Sequence, residues 1–178
     1  MRPTILAISG SLSRSSSNTA LLQAASMLVD QSASIEVYDG VGRLPLFNVD
    51  LDVDPAPPEV AHFRARLAAS EGIIISSPEY AHGISGVLKN ALDWTVSSGD
   101  FYEKPVAIFN ASPRASIAQE SLAEVLRTMG ARIIASAAVS VLLLGRNLGA
   151  SGIVADAELA AMIRSGLEAF IEALKKDG

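Results

Sequence analysis

The period of the apolar positions changes repeatedly along the chain, and each change marks an element. Thr4, Ile5, Leu6, Ala7 and Ile8 form a near-continuous apolar run, and beyond a polar stretch Leu21, Leu22, Ala25 and Leu28 recur at helical spacing. The pair predicts a buried strand feeding an amphipathic helix. Ser34 to Tyr38, with Ile35 and Val37, reads as a second strand that stops at Asp39 and Gly40. Val41 to Pro58 carries Pro45, Pro55, Pro57 and Pro58 among Asn48, Asp50, Asp52 and Asp54, which predicts an irregular surface excursion. Helical spacing returns over Glu59 to Ser70 through Val60, Phe63 and Leu67, leaving His62 as a solvated helix residue. Gly72 to Ser76, with three consecutive isoleucines, is the clearest buried-strand signal.

Val87 to Val96 is helical, with one apolar stripe and Lys89 placed four residues before Asp93 as surface support. Val106 to Asn110 is a fourth strand, Ile117 to Met129 a helix stopped at Gly130, and Ile133 to Leu144 contains a fifth strand. A glycine-rich connection from Gly145 to Gly152 leads to a last helix capped by Asp156 and striped by Leu159, Met162, Ile163, Leu167, Phe170 and Leu174. Five strands alternating with helices predict an α/β protein with a parallel sheet covered on both faces. Right-handed crossovers favour a flavodoxin-like three-layer sandwich, strand order 2-1-3-4-5, as one domain over residues 1–178. In that order the loops after strands one, three and four share a crevice at the strands' carboxyl ends.

Composition narrows what the crevice can serve. Of the 178 residues 49% are hydrophobic but only 5% aromatic, as expected of parallel strands buried on both faces. A net charge of −5 without a Lys/Arg cluster argues against nucleic acid as a partner. The absence of cysteine excludes thiol chemistry, and with only His62 and His82 a zinc site is not expected. No basic leader or long apolar window is present, so a cytoplasmic protein with no membrane partner is expected.

The first loop, GSLSRSSSNT from Gly10, opens directly into a helix. Unpaired N–H groups and the dipole at that helix start favour an anion, and hydroxyls with Arg14 would add donors. The stretch therefore reads either as a cradle for a phosphate monoester or as an ordinary capped helix after a Ser-rich loop. Other readings of the crevice fit less well. Only Gly10 of a GxGxxG pattern is present, no P-loop lysine follows a glycine run, and paired carboxylates after strand one are lacking. Ser85 and Ser151 sit in GxSG strings that do not complete a nucleophile elbow.

Three strings carry a resemblance to a known family: GSLSRSSSNTALL near the start, SPEYAHGISGVLKNALDW in the middle and KPVAIFNASPR after it. Across residues 4 to 130 the chain resembles the NADPH-dependent FMN reductases of the flavodoxin-like fold. The resemblance implies an FMN-dependent oxidoreductase that takes electrons from NADPH or NADH and passes them to a flavin, quinone or other small-molecule acceptor. It implies an FMN phosphate held by Ser11, Arg14, Ser16, Asn18 and the amide of Thr19. It places Pro78, Glu79, Tyr80, Ala81, His82 and Gly83 along the isoalloxazine, chiefly through backbone groups, with Ser112 and its neighbours closing the other side. It also implies a homodimer or homotetramer.

This chain departs from the commonest family form, PEYN with a proline before GVLKN, by having Ala81 and Ser85. Pro113, Arg114 and Ala115 replace glycines of the third loop, so Arg114 meets either phosphate or solvent. Tyr80 reads as a loop anchor or a flavin contact, His82 as a solvent-facing loop residue or a contact to substrate phosphate, and Trp94 as core or interface. A non-enzymatic FMN module for electron transfer or sensing, and a phosphosugar- or nucleotide-binding domain without flavin, are the alternative functions.

Overall fold

The structure, a computed structural model, describes residues 2–176. Its elements are β1 (Thr4–Ser9), α1 (Ser17–Leu28), β2 (Ser34–Tyr38), α2 (Pro58–Ala68), β3 (Gly72–Ser76), β4 (Glu79–Tyr80), β5 (Gly83–Ile84), α3 (Gly86–Asp93), β6 (Pro105–Asn110), α4 (Ser116–Thr128), β7 (Arg132–Ile133), β8 (Val139–Ser140), α5 (Ala150–Ala155) and α6 (Ala157–Lys176). The main sheet runs β2-β1-β3-β6-β7, and β8 also pairs with β6. Every pairing in it is parallel, with Leu6 opposite both Glu36 and Ile73, and Ile74 opposite Ala107. The expected order 2-1-3-4 thus holds for the first four strands.

Because side chains alternate across a strand, the sheet divides its aliphatic residues between two cores. Ile5, Ala7, Ile74, Ala107 and Phe109 pack against α1, α5 and α6, whereas Leu6, Ile8, Ile73, Ile75 and Val106 pack against α2, α3 and α4. Helix ends follow local chemistry. Pro58 occupies the first turn of α2, where no N–H is needed. Asp156 caps α6 by accepting from the Leu159 amide at 3.1 Å. Gly130 ends α4 at φ +75°: its amide donates to Arg127 O and that of Ala131 to Leu126 O, the paired bonds of a Schellman turn.

The predicted single fifth strand is replaced by two short pieces. β7 and β8 are separated by a 3-10 turn over Ala135–Ala137, yet both remain on the edge of β6. Alanines give a strand little side-chain packing, and α6 passes so close that a Cβ on Gly166 would sit 2.3 Å from Val139 Cγ2 and 3.1 Å from Ala137 O. The main sheet accordingly has six strands, not five. Two further elements depart from expectation: β4 and β5 form a separate two-stranded hairpin, and α5 begins within the anticipated glycine-rich connection and runs past its end to Ala155. The excursion keeps its irregular character, with 3-10 turns at Val41–Arg43 and Val49–Leu51.

A dense polar corner pins that excursion to the body. Arg64 of α2 donates from Nε to Trp94 O at 2.9 Å and from Nη2 to Asp52 Oδ1 at 2.7 Å, and Ser97 Oγ donates to Asp52 Oδ2 at 2.5 Å. Trp94 is fully buried beside it, with Nε1 donating to Pro45 O at 2.8 Å and Phe47 meeting the indole edge-on. This resolves Trp94 as a core residue. His62 is exposed on α2, its ring stacked on that of Tyr38.

Candidate functional site

The carboxyl ends of β1, β3 and β6 open into a cleft of about 430 Å³. Its walls come from the loop after β1 (Ser11, Ser13, Ser16, then Ser17 and Asn18 of α1), the loop and hairpin after β3 (Ser77, Pro78, Glu79, Tyr80), and the loop after β6 (Asn110, Ala111, Ser112, Arg114, Ala115). Leu144 adds an apolar edge from beyond β8. The three loops anticipated at one sheet edge are therefore together.

The first wall is built by hydrogen bonds to its serine hydroxyls. Ser9 Oγ lies 2.7 Å from Thr19 Oγ1 and accepts from the Ser11 amide at 3.2 Å, and the Ser13 amide donates to Ser11 Oγ at 3.3 Å. Ser16 is the N-cap of α1, its hydroxyl accepting from the Thr19 amide at 3.2 Å. That amide, expected to hold an anion, is instead engaged by the cap. The amides of Ser17 and Asn18, one and two residues into the helix, have no intrahelical acceptor and are the ones positioned for an anion. Buried Asn18 accepts from Ser76 Oγ at 2.9 Å, tying the start of α1 to the end of β3. Gly10 completes the joint: a Cβ there would meet Ser77 Oγ at 2.6 Å and Ser85 Oγ at 3.0 Å.

The second wall turns sharply. Tyr80 and Gly83 pair across a two-residue link in which Ala81 and His82 both have positive φ, +50° and +59°. Two left-handed residues are the geometry of the tight hairpin turn that Asn-Gly normally supplies. Glu79 lines the cleft, yet both carboxylate oxygens are engaged: Oε2 accepts from the Ala118 amide at 2.9 Å, and Oε1 lies 3.2 Å from His82 Nδ1. Ser85 caps α3 through the Leu88 amide at 3.3 Å. On the third wall, Asn110 Oδ1 accepts from the Ser112 amide at 2.9 Å.

Of the residues singled out from sequence, Ser11, Ser16, Asn18, Pro78, Glu79, Tyr80 and Ser112 line the cleft, whereas Arg14, Thr19, Ala81, His82 and Gly83 lie outside its lining. Arg14 is exposed on the same first loop. Sequence reasoning did not single out Asn110, whose signal is a polar residue closing a buried strand. Nor did it find Leu144, which reaches the cleft only because β8 returns to β6. Among the described residues neither Arg14 nor Arg114 has an ion-pair partner, and no group of three metal-ligating side chains occurs. No described helix is long and apolar enough to cross a membrane.

A parallel doubly wound sheet with a hydroxyl-lined cleft at its switch point defines a flavodoxin-like protein. Residues 3–142 match the family of NADPH-dependent FMN reductases, and the chain belongs to that family. It is 42% identical over 110 residues to an NAD(P)H-dependent FMN reductase of Pseudomonas aeruginosa, covering 61% of this chain and 59% of that protein. It is 37% identical over 151 residues to the NADH:(hydroxy)cinnamate reductase subunit CrdA of Vibrio ruber, covering 82% of this chain and 72% of that one. Among solved structures, the flavoenzyme NAD(P)H:(acceptor) oxidoreductase FerB of Paracoccus denitrificans superposes with a TM-score of 0.87 at 26% identity, over 98% of each chain.

Proposed function

We propose that this chain binds FMN in the cleft and acts as an NAD(P)H-dependent oxidoreductase delivering electrons to a flavin, a quinone or another small acceptor. The observation that carries the reading is the meeting of a helix start that has unengaged amides with two further polar loops, in a member of this family. The residues suit the group chemically. Hydroxyls of Ser11, Ser13 and Ser16 and the amides of Ser17 and Asn18 offer donors for a phosphate, with Arg14 alongside, and Glu79, the one acid among the lining residues, has its oxygens engaged. The Pro78–Gly83 segment and Ser112 would flank the ring. FMN supplies the hydride and electron chemistry when bound. The chain contributes orientation, and backbone donors where negative charge grows on a reduced ring.

The same reading includes a cytoplasmic location and self-association as a dimer or tetramer. Exposed apolar residues on the excursion, Leu46, Val49, Leu51 and Val53, support self-association. The purified protein, mixed with FMN and freed of excess by gel filtration, is expected to retain a flavin absorbance band that bleaches on anaerobic addition of NADPH or NADH. A retained band that neither nucleotide bleaches would replace the reductase reading with electron transfer or sensing. Failure to bind FMN even on titration would remove the flavin altogether.

A further inference from the structure

Helix α4 begins without a cap of its own. Its N-cap position is Ala115, which has no side-chain acceptor, and both Ala115 and Ala118 are buried, at 7% and 1% exposure, so water cannot readily replace one. In an ordinary capping arrangement the N-cap side chain would accept from the amide three residues on, that of Ala118. Here Glu79 Oε2 takes that bond at 2.9 Å from a position 39 residues earlier in the chain. The acid also sits at the helix end where the dipole favours negative charge. Its other oxygen, Oε1, reaches His82 Nδ1 at 3.2 Å, within the strained link of the hairpin.

One carboxylate therefore fastens three things: the β4 strand that carries it, the left-handed link at Ala81 and His82, and the start of α4. The last is continuous with Ser112, Arg114 and Ala115 on the opposite wall of the cleft. We infer that Glu79 is a positioning residue that braces the second and third walls against each other and so sets the shape of the cleft without its carboxylate touching the ligand. This rests on the flavin reading above for its functional consequence, though the brace itself can be tested without flavin.

The experiment compares Glu79→Ala and Glu79→Gln with the parent protein by two measurements. Amide hydrogen exchange, on protein without FMN, follows residues 79–84 and 115–118; flavin-fluorescence quenching gives FMN affinity. Glu79→Ala is expected to accelerate exchange in both segments and weaken FMN by about tenfold, the equivalent of one lost hydrogen bond. Glu79→Gln, which keeps a carbonyl acceptor for Ala118, is expected to restore both to near the parent values. A loss confined to global stability would not show this paired local change and rescue. Unchanged exchange in Glu79→Ala would overturn the brace, and faster exchange with unaltered FMN affinity would overturn its role in the cleft. If Glu79→Gln behaves like Glu79→Ala, the acceptor role is overturned in favour of charge alone. A parent protein that binds no FMN would defeat the flavin reading, and the exchange data would still decide the brace.

Discussion

Two polar regions of the molecule look alike in composition and behave oppositely. In the Arg64 corner, arginine, aspartates and serine are all engaged with one another or with a carbonyl. The side chains of Arg64, Asp52 and Asp100 are 19%, 8% and 12% exposed, and Asp100 Oδ2 lies 4.0 Å from Arg64 Nε. Around the cleft, hydroxyls bond one another and neighbouring amides, while among the described residues the first amides of α1, Arg114 in the lining and Arg14 on the adjoining loop are left without acceptors. Polarity alone does not distinguish a site from a strut. The difference lies in which donors remain available.

The contrast is sharpest when each region is damaged separately. Arg64→Ala should produce the largest effect, about 3 kcal/mol of lost stability, because it strips the Trp94 carbonyl of its donor and leaves the Asp52 carboxylate with the Ser97 hydroxyl but no cation in a largely buried corner. Urea denaturation measures it, and FMN affinity should stay unchanged; a parallel loss of FMN would mean that the corner and the cleft are one unit. Ser16→Asp is the converse. Aspartate caps a helix as well as serine, so stability should hold within about 0.5 kcal/mol. A carboxylate at the anion position should nonetheless weaken FMN by tenfold or more, about 1.4 kcal/mol, by fluorescence titration. Retained affinity would move the phosphate to another part of the cleft.

Smaller effects refine the picture. Ala81→Asn should raise stability by about 1 kcal/mol or less, since asparagine tolerates the left-handed conformation better than alanine; a lower thermal midpoint would argue against strain in the hairpin link. The last effect is read in the pH dependence alone and concerns Asp52. The Ser97 hydroxyl and the Arg64 guanidinium hold its carboxyl below the ordinary carboxylate value. A depressed folded pKa contributes stability that is present above the unfolded value and lost as pH falls through the folded one. Asp52→Asn should therefore flatten the decline of stability below about pH 4, followed by denaturation at several pH values. An unaltered slope would assign acid sensitivity to other groups.

What could be read in advance divides along physical lines. The loop after β1 was legible because a change from strand to helical period and a capping serine are both local signals. Gly130 and Asp156 were legible for the same reason. The hairpin was not, because Ala81 and His82 occupy positions where sequence normally shows Asn and Gly. Their geometry is imposed by surroundings, including Glu79. The broken fifth strand was illegible because its cause sits elsewhere: Gly166 of α6 brings that helix against Val139 and Ala137. Leu144 was lost with it, since its place on the cleft depends on Val141 and Leu143 donating back to Asn110 and Ala111. Resemblance pointed to the segment Pro78 to Gly83, of which Pro78, Glu79 and Tyr80 line the cleft, but could not show that the carboxylate of Glu79 is engaged with α4.

Trp94 is the only tryptophan in the chain, fully buried and hydrogen-bonded to Pro45 O. The molecule thus carries a built-in optical gauge of one corner. Ultraviolet excitation should give a short-wavelength emission whose maximum shifts red when water reaches the indole, whereas visible absorbance would follow a bound flavin. The colour of one light and the strength of the other can be recorded in the same cuvette, so loosening of the scaffold and emptying of the cleft can be timed independently during a single denaturation.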